Sequence, residues 1–188
     1  MNVDGRKGSS FNNVGILAND SMYVFVEVTV DPNGGNQPLL IQDSVLFTVN
    51  GIRQSVLLEA YGQDVNLYKG GVTITKDSIL TANRPYLIYD SLVIAKGVSL
   101  NIEKGATFYM HDKASLIVHG SMNALGTLDE PITFRGDRLD YILNDILPYD
   151  RTPGQWGGIT FKADSYGNVW DNVIVRNGTS GVYCGYLP

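Results

Sequence analysis

The sequence predicts an all-β fold, part of a β-sandwich leading into a parallel β-helix, and three observations carry that expectation. Short apolar strands ending in Gly recur about 24 residues apart between Ser91 and Arg135. Apolar and polar residues alternate from Met22 to Val30, the period of a half-buried strand. The chain also holds 21 Gly and 11 Tyr among its 188 residues, a bias toward turn and strand formers over helix formers.

The first strand follows from that alternation, with Met22, Val24, Val26, Val28 and Val30 on one face and Tyr23, Phe25, Glu27 and Thr29 on the other. Asp31 to Pro38 then breaks the chain with Pro and residues tolerant of positive φ. Strands at Ser44 to Val49 and Gln54 to Ala60 flank Asn50-Gly51, a dipeptide suited to a tight hairpin. Roughly four strands are visible where an immunoglobulin-like sandwich has about seven, so residues 1-65 are expected to form a partial sandwich.

Residues 66-85 are expected to connect this part to the repeat, although Val72 to Thr75 already alternates. The repeat proper is assigned to 86-188. Its first pass reads Ser91 to Gly97, Val98 to Gly105, then Ala106 to Met110; its second reads Ser115 to Gly120, Ser121 to Gly126, then Pro131 to Arg135. Strand, turn, strand, turn, strand is what one coil of a β-helix requires. An insertion at 136-155 interrupts the period, with Ile142, Leu143, Ile146 and Leu147 at helical spacing. The pattern resumes at Gly157 to Phe161, Asn172 to Gly178 and Gly181 to Gly185. The last coil is expected to be incomplete, because solenoids end in a cap that hides their strand edges.

Two resemblances follow from these residues. Residues 15 to 65 resemble the C-terminal half of a Hydin-type Ig-like domain. Pro85 to Gly136, with its GVSLNIEKGATF and GSMNALGTLDEPITF runs, resembles the opening coils of the right-handed parallel β-helix proteins of the pectin-lyase-like superfamily. The resemblance implies a bacterial surface lipoprotein family as parent, and implies that this chain is an internal fragment of it.

Composition and motifs exclude more than they assign. A net charge of -5 argues against a nucleic-acid partner, which needs a basic stripe to neutralise phosphates. No run approaches the about 20 apolar residues of a membrane span, and Met1 to Asp20 shows no export signal. The single cysteine, Cys184, reads as a small buried apolar residue. His111 and His119 read as surface or turn residues, because zinc wants three or four ligands at defined spacing. No metal site and no cofactor is expected.

Asp137, Asp140, Asp145 and Asp150 with Arg135, Arg138 and Arg151 lack the fixed spacing of a calcium loop and read as a solvated, salt-bridged segment. No catalytic residue is assigned. Trp156, Trp170, Tyr141, Tyr149 and Tyr166 are the candidates for an aromatic platform for sugar rings, with Arg151 as a polar partner. The bland alternative for Trp156 is that it seals the insertion against the coil that begins at Gly157. Four Asp-Ser-apolar tripeptides, at Asp20, Asp43, Asp77 and Asp90, sit at strand starts and resemble a bacterial O-glycosylation acceptor. The expected role is non-catalytic: an envelope or cell-surface structural or recognition protein with a polysaccharide or glycan as partner. A polysaccharide lyase or glycoside hydrolase whose catalytic coils lie partly beyond this chain is the alternative. A truncated gene product without independent function is the third.

Overall fold

The computed structural model describes residues 1-30, 34, 39-139 and 149-185. It divides into two units, Met1–Gln63 and Asp64–Pro188. In the first unit, β1 (Asn2–Val3) pairs antiparallel with β2 (Arg6–Lys7) and with β3 (Val24–Phe25). The long alternation from Met22 to Val30 therefore contributes two ladder residues. The hairpin forms in full, from β4 (Leu39–Val49) to β5 (Ile52–Gly62), with Val49 opposite Ile52. Asn50 at φ 52 and Gly51 at φ 80 supply the two left-handed residues that a twist-matched two-residue turn demands. Among the described residues of this unit, Val3 is the buried apolar side chain, so the packed layer between two sheets that a sandwich requires is not seen.

The second unit is a parallel β-solenoid of about five turns, compatible with a β-helix. Its strands are β6 (Asn66–Tyr68), β7 (Val72–Ile74), β8 (Ser78–Leu80), β9 (Tyr86–Ile88), β10 (Ser91–Ile94), β11 (Ser99–Ile102) and β12 (Thr107–Met110). They continue as β13 (Ser115–Val118), β14 (Ser121–Leu125), β15 (Ile132–Gly136), β16 (Gly158–Phe161), β17 (Val169–Asp171), β18 (Val173–Val175) and β19 (Val182–Cys184). Three sheets result, with orders β19-β16-β13-β10-β7, β17-β14-β11-β8 and β18-β15-β12-β9-β6. The coil made by β6 to β8 corrects the expected connector at 66-85, since each of its strands pairs in parallel with the coil that follows.

The register explains why the sequence repeats. Ser91, Leu92, Val93 and Ile94 lie opposite Ser115, Leu116, Ile117 and Val118, so like residues stack on like. Every second residue points inward, and Leu100, Phe108, Met110, Val118, Met122 and Ile132 are wholly buried. Tyr86, Phe108 and Phe134 form a ladder of stacked rings, with centroids 4.9 and 4.6 Å apart. Burial of one such side chain stabilises by about 1.5–3 kcal/mol, and the coil stack repeats the gain at each turn. Gly120 fills the tightest bend: a Cβ there would lie 2.0 Å from the Val98 carbonyl oxygen.

Candidate functional site

The solenoid corner that follows β12, β15 and β18 gathers most of the polar chemistry, because the insertion leaves and rejoins the coil there. After β15 the chain passes Asp137 and Arg138; the described residues resume in a 3-10 turn, Tyr149–Arg151. The helical pattern at Ile142 to Leu147 lies outside the described residues, as do Tyr141, Asp140, Asp145 and the side chain of Asp150.

Asn177 clasps the corner. It sits at φ 64, its Oδ1 accepts the Gly136 N–H at 3.2 Å, and its Nδ2 donates to the Thr152 carbonyl at 3.0 Å and the Tyr149 carbonyl at 3.3 Å. Gln155 Nε2 donates to the same two carbonyls, those of Tyr149 and Thr152. The returning end of the insertion is thereby fixed to two successive coils. The Arg138 guanidinium lies 3.8 Å from the centre of the Tyr149 ring, a close cation–π contact.

An open concavity of about 510 Å³ results, lined by Arg151, Pro153, Arg176 and Asn177. Arg151 and Arg176 are exposed. Phe134 lies opposite Val175, and the Arg176 N–H donates to the Phe134 carbonyl at 2.9 Å; one more residue along the register sets Arg135 beside Arg176 on the outer face. Arg135 is half-buried and its Nε has no hydrogen-bond partner among the described residues. Like charges directly opposite on neighbouring strands repel. This corner thus carries Arg135, Arg138, Arg151 and Arg176 together with the carboxylate of Asp137.

Two histidine–carboxylate pairs join residues that lie far apart in the sequence. His111 Nδ1 lies 2.6 Å from Asp137 Oδ2, one coil further on, and its ring packs against Tyr89 from the coil before, with centroids 4.1 Å apart. Lys69 Nζ lies 5.5 Å from the centre of the Tyr89 ring. Lys69, Tyr89, His111 and Asp137 therefore climb the same corner, one per coil. His119 Nδ1 is 3.0 Å from Asp164 Oδ1 on the corner after β13 and β16. Partial desolvation opposes the charge on Asp164. The His119 hydrogen bond, the residue's own backbone N–H, and the charges of His119 and Lys96 outweigh that and hold its carboxyl below the usual range.

Among the described residues, the candidates for the aromatic platform lie apart, and Tyr141 is outside the described residues. Trp156 is buried, with Nε1 donating to the Arg176 carbonyl at 2.7 Å, so it seals the coil and offers no face to a ligand. Trp170 pairs with Ala124 in register and packs on Phe134 and Phe161, so it is a rung of the inner stack and not a sugar platform. Its half-buried ring has an Nε1 without a partner among the described residues. Tyr166 is exposed but stands apart in the turn before β17. Tyr149 and Arg151 do meet at the corner, on one 3-10 turn. Cys184 is exposed, not buried, because among the described residues no strand stacks beyond β19. Among the described residues, no group of three or more His, Cys, Asp or Glu could hold a metal ion, and no helix is long and apolar enough to cross a membrane.

Comparison with known proteins adds one likeness. No family model matches the chain. Protein bark beetle of Drosophila melanogaster is 31% identical over 104 residues, which is 53% of this chain and 3% of that protein. The chain thus corresponds to a small part of this curated relative. No solved structure matches.

Proposed function

We propose that this chain is a non-catalytic recognition module of a cell-envelope or extracellular protein, and that its ligand is a glycan. The resemblance of its coils to pectin-lyase-like β-helix proteins and surface lipoproteins supports that setting. The observation that carries the reading is the concavity lined by Arg151, Pro153, Arg176 and Asn177, on a corner braced by the Arg138–Tyr149 contact. Its volume falls within the range of small-molecule sites, and guanidinium groups beside an apolar wall suit a sugar that carries polar substituents. The test is binding of neutral and acidic oligosaccharides by calorimetry, with Arg151→Ala as the variant. At least one glycan should bind, and the variant should weaken it about tenfold or more. A panel without binding, or binding untouched by Arg151→Ala, would overturn the reading.

A lyase or hydrolase is the second reading, and the His111–Asp137 pair favours it. An imidazole oriented by a carboxylate is a general base in waiting, with its Nε2 directed away from the pair. Release of unsaturated or reducing ends from uronate or neutral polysaccharides, abolished by His111→Ala, would establish it in place of the first.

A further inference from the structure

Resting on the glycan reading above, we propose that the outer face of the sheet β18-β15-β12-β9-β6 holds a linear oligosaccharide laid along the solenoid axis, with Tyr109 as its stacking platform. The strand register builds the stripe. Leu67 lies opposite Leu87, Leu87 opposite Tyr109, and Tyr109 opposite Arg135. Leu87, Tyr109 and Arg135 alternate with the buried Ile88, Phe108, Met110 and Phe134, so they point outward, and Leu67 is 56% exposed. Arg176 follows Arg135 in the same row and also lines the concavity, so stripe and concavity are continuous. At the usual strand spacing the row from Leu67 to Arg176 is about 19 Å long.

Tyr109 is the ring this face leaves for a ligand. Tyr89 is engaged by the His111 ring at 4.1 Å and by Lys69 at 5.5 Å, and Tyr86 and Phe108 belong to the inner stack. Tyr109 makes no ring or cation contact among the described residues. An outward Tyr offers an apolar body with a polar tip. The width of the stripe selects its occupant. Along β12 the outward residues are Thr107 and Tyr109, followed by His111, so at Tyr109 the apolar surface is one side chain wide between polar groups. Thr133, beside Thr107, and Asp137, bonded to His111, carry both polar borders on to the next coil. A protein partner wants a broad apolar centre within a polar rim. A sugar chain has the narrower cross-section, with C–H ring faces along its middle and hydroxyls along both edges. Leu67, Leu87 and Tyr109 meet the faces, while Thr107, Thr133 and His111 meet the edges.

The experiment is calorimetric titration of the full chain with di-, tetra- and hexasaccharides prepared from cellulose, mannan and hyaluronan. In at least one series the hexasaccharide should bind about tenfold or more tightly than the disaccharide, because it engages stripe and concavity together. Tyr109→Thr, which keeps a strand former and matches the neighbouring Thr107, should remove that gain and leave the disaccharide unchanged, a built-in control for folding. Tyr109→Phe keeps the ring and should keep the gain. Arg151→Ala should weaken every length, so it tests the concavity, and with it the glycan reading, separately. Affinity that is flat with length, a hexasaccharide indifferent to Tyr109→Thr, or a loss equal at all lengths would overturn the stripe and leave the glycan reading standing. Absence of binding by these ligands and by the neutral and acidic panel would bring down both.

Discussion

The hairpin of the first unit and the coils of the second are both fully paired, yet they bury very different amounts. β4 and β5 match residue for residue along their whole lengths, and still Val49 and Ile52 are 65% and 68% exposed. In the coils, strands of three to five residues leave Leu100, Phe108 and Met122 at 0%. Hydrogen-bonded pairing therefore does not by itself make a core. A two-stranded ribbon has two faces and covers neither, whereas three sheets wound about one axis turn all their inward faces on each other. The solenoid can use strands as short as Val173–Val175 because each coil is the floor of the next.

The sharpest break of this contrast is one large-to-small change in each unit. Phe108→Ala removes the middle ring of the Tyr86–Phe108–Phe134 ladder and should cost about 3–5 kcal/mol. Val49→Ala in the exposed hairpin should stay within about 0.5 kcal/mol. Both tryptophans, Trp156 and Trp170, lie in the solenoid unit, so urea unfolding followed by their fluorescence reports that unit. Circular dichroism follows the chain as a whole. Comparable losses from the two substitutions would show that the hairpin is buried in solution.

A smaller effect tests how tightly the coils close. Gly120→Ala would place a methyl group 2.0 Å from the Val98 carbonyl oxygen and 2.6 Å from that of Ala95, both backbone atoms with little room to move. A loss of about 1–3 kcal/mol in the same fluorescence experiment is expected. An unchanged midpoint would mean that the bend after β13 has slack that its geometry denies.

What the sequence made legible follows the same division. Coils with four-residue strands and Gly bends, such as Ser91–Ile94 over Ser115–Val118, announce themselves by repetition, and Asn50-Gly51 announces its hairpin. The coil at β6 to β8 reads as a connector in the sequence because three-residue strands leave too short a pattern to recognise. Trp170, in the largely polar run NVWDN, looks like a surface ring; only the register, which sets it opposite Ala124, turns it inward. The His111–Asp137 pair was within reach, since laying TFYMH over TFRGD brings those two residues together at equal offsets. The Arg corner and the His119–Asp164 pair were not. The insertion lies between the partners and hides the register that joins them, 45 residues apart in the second case.

That hidden pair gives the gentlest test of the solenoid's corners. Asp164 titrates lower in the folded chain than its ordinary value of 3.8, because its charged form is the one that His119 and its own backbone N–H bond. A depressed carboxyl contributes stability that is fully present above the unfolded value and is lost as pH falls through the folded one. Asp164→Asn should therefore lower the urea midpoint slightly at neutral pH, and the gap to the parent chain should close as pH drops below 3.8. Taking the difference between the two chains cancels the other carboxylates, which titrate in both. The partners are partly exposed, so salt should shrink the neutral-pH gap as well. A gap that is constant from neutral to strongly acid pH would assign the contact to hydrogen-bond geometry alone, with no part for charge, and would place this corner with the apolar stack as a matter of packing.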